Sequence, residues 1–266
     1  MSLPPATQIG AVRLRVADHD ALSAFYERAI GLVPLSVEDG LARLGVEGGP
    51  PLVELHAAPG APPRPPRSSG LFHQAILVPS RADLAGALQR LLAAGWRLTG
   101  ASDHLVSEAL YLDDPEGNGI EIYRDRPRDE WVMREGQIEM TTLPLDLEDL
   151  LSEIPAGDSE SPGPMPEGTR IGHVHLQVTD LAPAEAFYEG RLGFDVTVRS
   201  YPGALFLSAG GYHHHIGVNT WLSAGAPAPP EGALGLEHFE VTVPGRAERE
   251  LVRDPDGIEL VLSGAR

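Results

Sequence analysis

The sequence predicts an α+β protein made of four copies of one strand–helix–strand unit, the fourth truncated. Three observations carry this. First, residues 9–32 (IGAVRLRVADHDALSAFYERAIGL) align with 171–194 (IGHVHLQVTDLAPAEAFYEGRLGF) at a constant offset and without a gap. Second, GLFHQAILVP (70–79) matches GLEHFEVTVP (235–244), and DDPEGNGIEIY (113–123) matches RDPDGIELVL (253–262). Third, each long copy opens on strict apolar/polar alternation, the mark of a strand with one buried face. Self-similarity at a fixed spacing is the signature of duplication.

The units fall at roughly 9–60, 70–126, 171–222 and 235–264. In units one and three, the helix after the first strand carries the pairs Phe25-Tyr26 and Phe187-Tyr188 toward the sheet. Gly31 and Gly193 stop those helices, because glycine takes the left-handed conformation at little cost. Unit two should hold a helix over 83–94 and strands over 109–112 and 120–123. In unit four only nine residues separate Pro244 from Asp254, so its helix and one strand are missing. Between units two and three, 147–154 suits one short helix, and the rest reads as an acidic Pro/Gly/Ser spacer.

A chain of 266 residues fits two domains. The division expected is 1–140 (units one and two), a linker over 141–170, and 171–266 (units three and four). With 42% apolar and 22% charged residues the composition is globular, not disordered. There is neither a long apolar run nor a leader-like opening, so the cytoplasm is the expected location. Cysteine is absent, which excludes disulfides, thiolate metal sites and cysteine nucleophiles. All 20 basic side chains are arginine, which excludes Schiff-base and P-loop lysine chemistry. A net charge of −18 argues against nucleic acid and anionic membrane as partners.

Any metal must therefore be held by His, Asp or Glu. A lone strand histidine is more often a plain polar residue than a ligand. Here repetition changes the odds: His73, His173 and His238 each stand five residues before a strand valine, in three different units. Glu121 and Glu259 match each other after a DPxG turn. Alternation then assigns faces. Val174, Leu176 and Val178 form the buried side of one strand, leaving His173, His175 and Gln177 on the other. Ile120 and Ile122 are buried, leaving Glu121 with Tyr123. In YHHHIGVNTW (212–221), Ile216 and Val218 are buried, which puts His213 and His215 on the open face and His214 with the apolar side or at an edge. Two histidines and one carboxylate on neighbouring strands form a facial triad with open positions, as in non-haem Fe(II) oxygenases; Zn, Ni or Mn also suit such donors.

These residues carry a resemblance. IGHVHLQVTDL, AFYEGRLGF and DPEGNGIEIY resemble the vicinal oxygen chelate superfamily, which includes glyoxalase I, bleomycin-resistance proteins and extradiol dioxygenases. GLFHQAILVP, SDHLVSEALYLDDPEGNGIEIYRDRPRDEW and GGYHHHIGVNTW are similar to motifs of the bacterial CatE-type catechol 2,3-dioxygenases. The resemblance spans nearly the whole chain. It implies βαβββ modules paired into half-barrel cups, with metal ligands from the first and last strands of paired modules.

Two pairings are open. If units two and three share a cup, the ligands are His73, Glu121 and His173. If units three and four share it, they are His173, His238 and Glu259. The first is preferred, because unit four lacks the helix needed to wall a site. In unit one the ligand place is Ala11, so units one and two alone would offer only His73, Glu121 and Glu54. The resemblance further implies Fe(II)-dependent ring cleavage of a small aromatic diol with O₂, and a homo-oligomer. His215, then His213, is the expected acid/base, since an imidazole both takes and gives a proton near neutrality. His104 and Tyr123 are weaker candidates for substrate contact, each balanced by a structural reading: a loop hydrogen bond and a packed wall. The alternatives are a four-ligand glyoxalase-type isomerase using His73, Glu121, His173 and His215, or a non-catalytic binder of small molecules.

Overall fold

The computed structural model describes residues 2–154 and 163–264; residues 155–162 of the acidic spacer lie outside them. Unit one comprises β1 (Gln8–Val16), α1 (His19–Phe25), β2 (Val33–Glu38), β3 (Leu41–Gly45) and β4 (Pro51–Ala57). Unit two comprises β5 (Gly70–Leu77), α2 (Arg81–Ala93), β6 (Gly100–Asp103), β7 (Ser107–Asp113) and β8 (Gly119–Asp125). Three two-residue strands follow, β9 (Met133–Arg134), β10 (Gln137–Ile138) and β11 (Leu143–Pro144), then α3 (Leu147–Leu151). Unit three comprises β12 (Arg170–Gln177), α4 (Leu181–Glu185), β13 (Asp195–Val198), β14 (Ala204–Ser208) and β15 (Ile216–Asn219). Unit four keeps β16 (Gly235–Thr242), β17 (Glu250–Arg253) and β18 (Glu259–Ser263), with no helix. Among the described residues, no helix is long and apolar enough to cross a membrane.

The helices follow from their caps. Asp18 and Asp180, equivalent in the repeat, accept from Ala21 N and Ala182 N. That satisfies N–H groups a helix start otherwise leaves unpaired. α2 begins two residues before its expected start because Ser80 accepts from Asp83 N. Beyond α1 the helix widens into one π turn, Tyr26–Ile30, and ends at Gly31 (φ 90°); after α4 the turn Ala186–Arg191 does the same, with Gly193 at φ 89°.

The repeat also explains how units dock. Tyr26 Oη donates to Asp114 in the turn before β8, and Tyr188 Oη donates to Asp254 in the turn before β18. Glu116 of the first turn accepts from Ala17 N and Asp18 N, while Asp256 of the second accepts from Thr179. Each DPxG turn thus ties the last strand of one unit to the helix start of the unit before it.

Sheet pairing crosses the halves of the chain. One sheet has the order β17-β18-β16-β1-β4-β3-β2, from units four and one. The other has the order β11-β6-β7-β8-β5-β12-β15-β14-β13, from units two and three, joined where β5 runs antiparallel to β12. The stretch 141–170 therefore separates two halves of sequence, not two sheets. Alternation sorts the larger sheet cleanly. Ile76, Leu110, Leu112, Ile120, Ile122, Val174, Leu176, Ile216 and Val218 enter a core shared with Val12, Leu14 and Val53 of the smaller sheet. The opposite, curled face carries His73, Ala75, Tyr111, Glu121, Tyr123, His173 and His175.

Candidate metal centre

Register builds this site. His173 pairs with Ala75 across β12/β5, and Ala75 pairs with Glu121 across β5/β8. One small residue thus stands between two larger ones in a row across three strands. His73, two residues before Ala75, shares its face. The outcome is convergent: His73 Nε2 lies 3.0 Å and His173 Nε2 3.1 Å from the same oxygen, Glu121 Oε2. All three residues are buried. They form the only group of His, Asp and Glu among the described residues whose donor atoms all lie within 4.8 Å of one another.

Two features fit this group to a cation. The first is spacing: neighbouring donors about 2.1 Å from one ion stand about 3 Å apart. His73 Nε2 reaches that distance from Glu121 yet makes no hydrogen bond, so a buried nitrogen is left without a partner. The second is ionisation. Burial opposes the Glu121 carboxylate, but the His173 and His73 imidazoles hold its pKa well below the usual value. Burial pushes His173 down to about 4 and His175 well below its ordinary value. A carboxylate beside an imidazole that burial keeps neutral, as at His173, suits a divalent ion, since ligands must be deprotonated. The donor types suit Fe, Mn, Zn or Ni.

The triad sits beside a cavity of about 490 Å³ lined in part by Phe72, Tyr111, His175, Phe206, His214 and Trp221. The walls are aromatic: Phe72 packs edge-on to His175 and Trp221 at 5.2 and 5.4 Å. His175 lies over Gly217, its register partner, where any Cβ would come within 2.9 Å of the ring. Gly172 leaves room for Tyr123, whose hydroxyl a Cβ there would overlap.

The expected site residues fall into three groups. His73, Glu121 and His173 are brought together as described. His104 lines the cavity, its Nδ1 at 2.7 Å from Thr141 O and its Nε2 at 2.7 Å from Tyr111 Oη. Tyr123 is a packed wall beneath His173, with ring centres 4.9 Å apart and its hydroxyl on Tyr212. It does not line the cavity.

His213 and His215 do not occupy the open face expected of them. The regular strand starts only at Ile216, and the chain bends at His213 and His215, so alternation does not carry back to them. His213 is fully buried between His214 and Asp125. His215 accepts from Ala209 N and borders a separate cavity of about 130 Å³ with Arg128 and Arg170. The four-donor set that included His215 is therefore not assembled. It is His214, expected on the apolar side or at an edge, that reaches the large cavity, with its ring 4.0 Å from that of His173. Burial, reinforced by the surrounding imidazoles, holds its pKa well below the ordinary value.

The alternative triad of His173, His238 and Glu259 is corrected outright: β16 and β18 lie in the other sheet. There Glu259 is held by Arg253 at 2.6 Å, and His238 pairs with Arg13 in the register. Ion pairs fill that second face, with Glu54 between Arg13 and Arg43, and His56 on Glu237.

Sequence reading gave no role to Tyr111, His175 or His214. Tyr111 was legible in principle, since a β7–β8 hairpin in register puts it opposite Glu121. Its own acidity is suppressed by burial and by the Glu121 charge.

The model of the Glyoxalase/Bleomycin resistance protein/Dioxygenase superfamily matches residues 8–122 and 170–248, and the chain belongs to that superfamily. Within it, the chain is 47% identical over 255 residues to a protein of Bacillus subtilis (strain 168) named catechol-2,3-dioxygenase, covering 94% of this chain and 88% of that one. A solved Bacillus subtilis subsp. subtilis strain 168 structure superposes with a TM-score of 0.62 at 15% identity, covering 99% of this chain and 86% of the other. Glyoxalase I from Zea mays gives 0.55 at 17% identity, covering 97% and 92%. At such identities the two structures share the fold alone.

Proposed function

We propose that this chain is an extradiol dioxygenase: it binds a catechol and opens the ring beside the diol with O₂, using Fe(II) held by His73, Glu121 and His173. The observation that carries the reading is the convergence of two imidazole nitrogens on one glutamate oxygen at an aromatic-walled cavity. His73, Glu121 and His173 would hold the ion, and a set of only three protein donors would leave it able to take ligands from outside the protein. When bound, Fe(II) supplies Lewis acidity and the electron exchange that O₂ chemistry needs.

The chain's own residues do the rest. Phe72, Phe206 and Trp221 hold the ring and exclude water, which strengthens polar interactions inside. His214 stands beside the triad as an uncharged imidazole and takes the proton of a diol hydroxyl. Tyr111 gives its proton to His104 Nε2, because His104 Nδ1 donates to Thr141 O, and so offers its hydroxyl oxygen as an acceptor to the hydroxyl groups of the substrate. Among the described residues no arginine lines the cavity, and the chain has no lysine. The acids there are Asp113 and Glu121. The preferred catechol is therefore one whose substituents are uncharged.

The test is anaerobic loading with Fe(II), then catechol, then air. A yellow ring-cleavage product formed at one O₂ per catechol supports the reading. Turnover of a glutathione hemithioacetal with no product from any catechol overturns it.

A further inference from the structure

His214 is useful as a base only if its cavity-facing nitrogen is bare, and what decides that lies outside the cavity. His214 Nδ1 stands 2.7 Å from His213 Nδ1. The ring has two nitrogens, so Nε2 is the one left for the cavity. Two imidazole nitrogens at hydrogen-bond distance need one proton between them, and the next contact fixes which ring holds it. His213 Nε2 is 2.9 Å from Asp125 Oδ1. A carboxylate only accepts, so His213 carries its proton on Nε2 and its Nδ1 is bare. His214 must then hold its proton on Nδ1. Asp125 Oδ1 also accepts from Tyr212 Oη at 3.1 Å, and Tyr212 Oη is 2.7 Å from Tyr123 Oη. With Tyr212 donating to Asp125, Tyr123 donates to Tyr212, so every hydrogen bond in the chain runs toward one carboxylate. His213 is wholly buried while Asp125 keeps a quarter of its side chain exposed (26%), which anchors the chain at the protein surface.

We propose that Asp125 and His213 are positioning residues: through two aligned hydrogen bonds they hold the proton of His214 on Nδ1 and present its Nε2, bare, to the catechol. The inference rests on the proposed role of His214 as the base. No atom is transferred through the pair; it selects a tautomer, as second partners of functional imidazoles do. An imidazole in the opposite tautomer would meet the diol with an N–H and could accept nothing.

The test has two arms. In the first, ¹⁵N-histidine spectra of the metal-free protein report which nitrogen of each ring is protonated. The expected pattern is Nε2–H for His213 and Nδ1–H for His214. Asp125→Asn, whose amide either accepts or donates, should give mixed tautomers at both rings, and Asp125→Glu should restore the original pattern. A doubly protonated His213, or Nε2–H on His214 in the parent protein, overturns the proposal, as does an unchanged pattern in Asp125→Asn. In the second arm, with Fe(II)-loaded protein, Asp125→Asn should lower kcat on the order of 10- to 100-fold. KM and bound iron should hardly change, and Asp125→Glu should recover most of the rate. Mixed tautomers with an unchanged kcat overturn the positioning role. The first arm needs neither metal nor substrate, so the tautomer assignment stands or falls separately from the ring-cleavage reading.

Discussion

His173 and Glu121 meet above Ala75. Their contact, 3.1 Å from Nε2 to Oε2, spans the strand that Ala75 occupies, and Ala75 itself is wholly buried beneath them. A methyl group is all that this middle position leaves room for. Ala75→Leu should therefore force the imidazole and carboxylate apart. Overpacking should cost about 1–3 kcal/mol of stability, while Fe(II) bound per chain should fall to a small fraction. Iron analysis together with circular dichroism of the folded variant checks this; a folded Ala75→Leu protein that keeps a full equivalent of iron contradicts it.

The two Tyr–Asp ties should behave as a pair. Tyr188→Phe removes the donor to Asp254, a carboxyl that burial has raised to about 6. Tyr26→Phe removes the donor to Asp114 and also the acceptor of Gln74 Nε2. Each should cost about 1–3 kcal/mol, the range for leaving a buried polar group without its partner. Tyr26→Phe should lose at least as much as Tyr188→Phe in urea unfolding.

Much of this molecule was legible in the sequence, and the reasons are particular. Duplication exposed the units, and period-two alternation placed Ile120, Ile122, Val174 and Leu176 in the core with Glu121 and His173 opposite. That logic depends on regular strand, and it failed where the strand stops. His213–His215 precede β15 through two bends, so their directions follow local backbone rather than parity. Pairing between sheets was open for a different reason. Units two and three meet through β5 and β12, which are far apart in sequence, and the choice was hinted at by the weakened fourth unit and the fuller motifs of units two and three.

Acid should weaken the fold partly through His215. Burial first, then the neighbouring cationic and imidazole groups, lower its pKa to about 3. Between the unfolded value near 6.5 and about 3, the unfolded chain takes up a proton that the folded chain refuses. The stabilisation is whole above about pH 6.5 and is lost as pH falls toward 3, reaching roughly 2 kcal/mol by pH 5 at about 1.4 kcal/mol per unit. His215→Gln should flatten that part of the stability–pH curve, measured by urea titrations at pH 7, 6 and 5. An equal slope in the variant contradicts the assignment.

Substituent charge should govern substrate choice. The cavity has room beyond a single ring but offers acids and no arginine among its described lining residues. An alkyl catechol such as 4-methylcatechol should be turned over, whereas 3,4-dihydroxyphenylacetate, whose carboxylate would be desolvated without a partner, should show kcat/KM lower by about tenfold or more. Equal values for the two would contradict the charge argument.

Units two and three, not three and four, should supply one metal site. Anaerobic Fe(II) titration followed by isothermal calorimetry tests this in the parent protein and in His73→Ala, His173→Ala and His238→Ala. One tight site is expected in the parent, an intact site in His238→Ala, and its loss in the other two. Retention of the site by His73→Ala together with its loss in His238→Ala would overturn the pairing of units two and three.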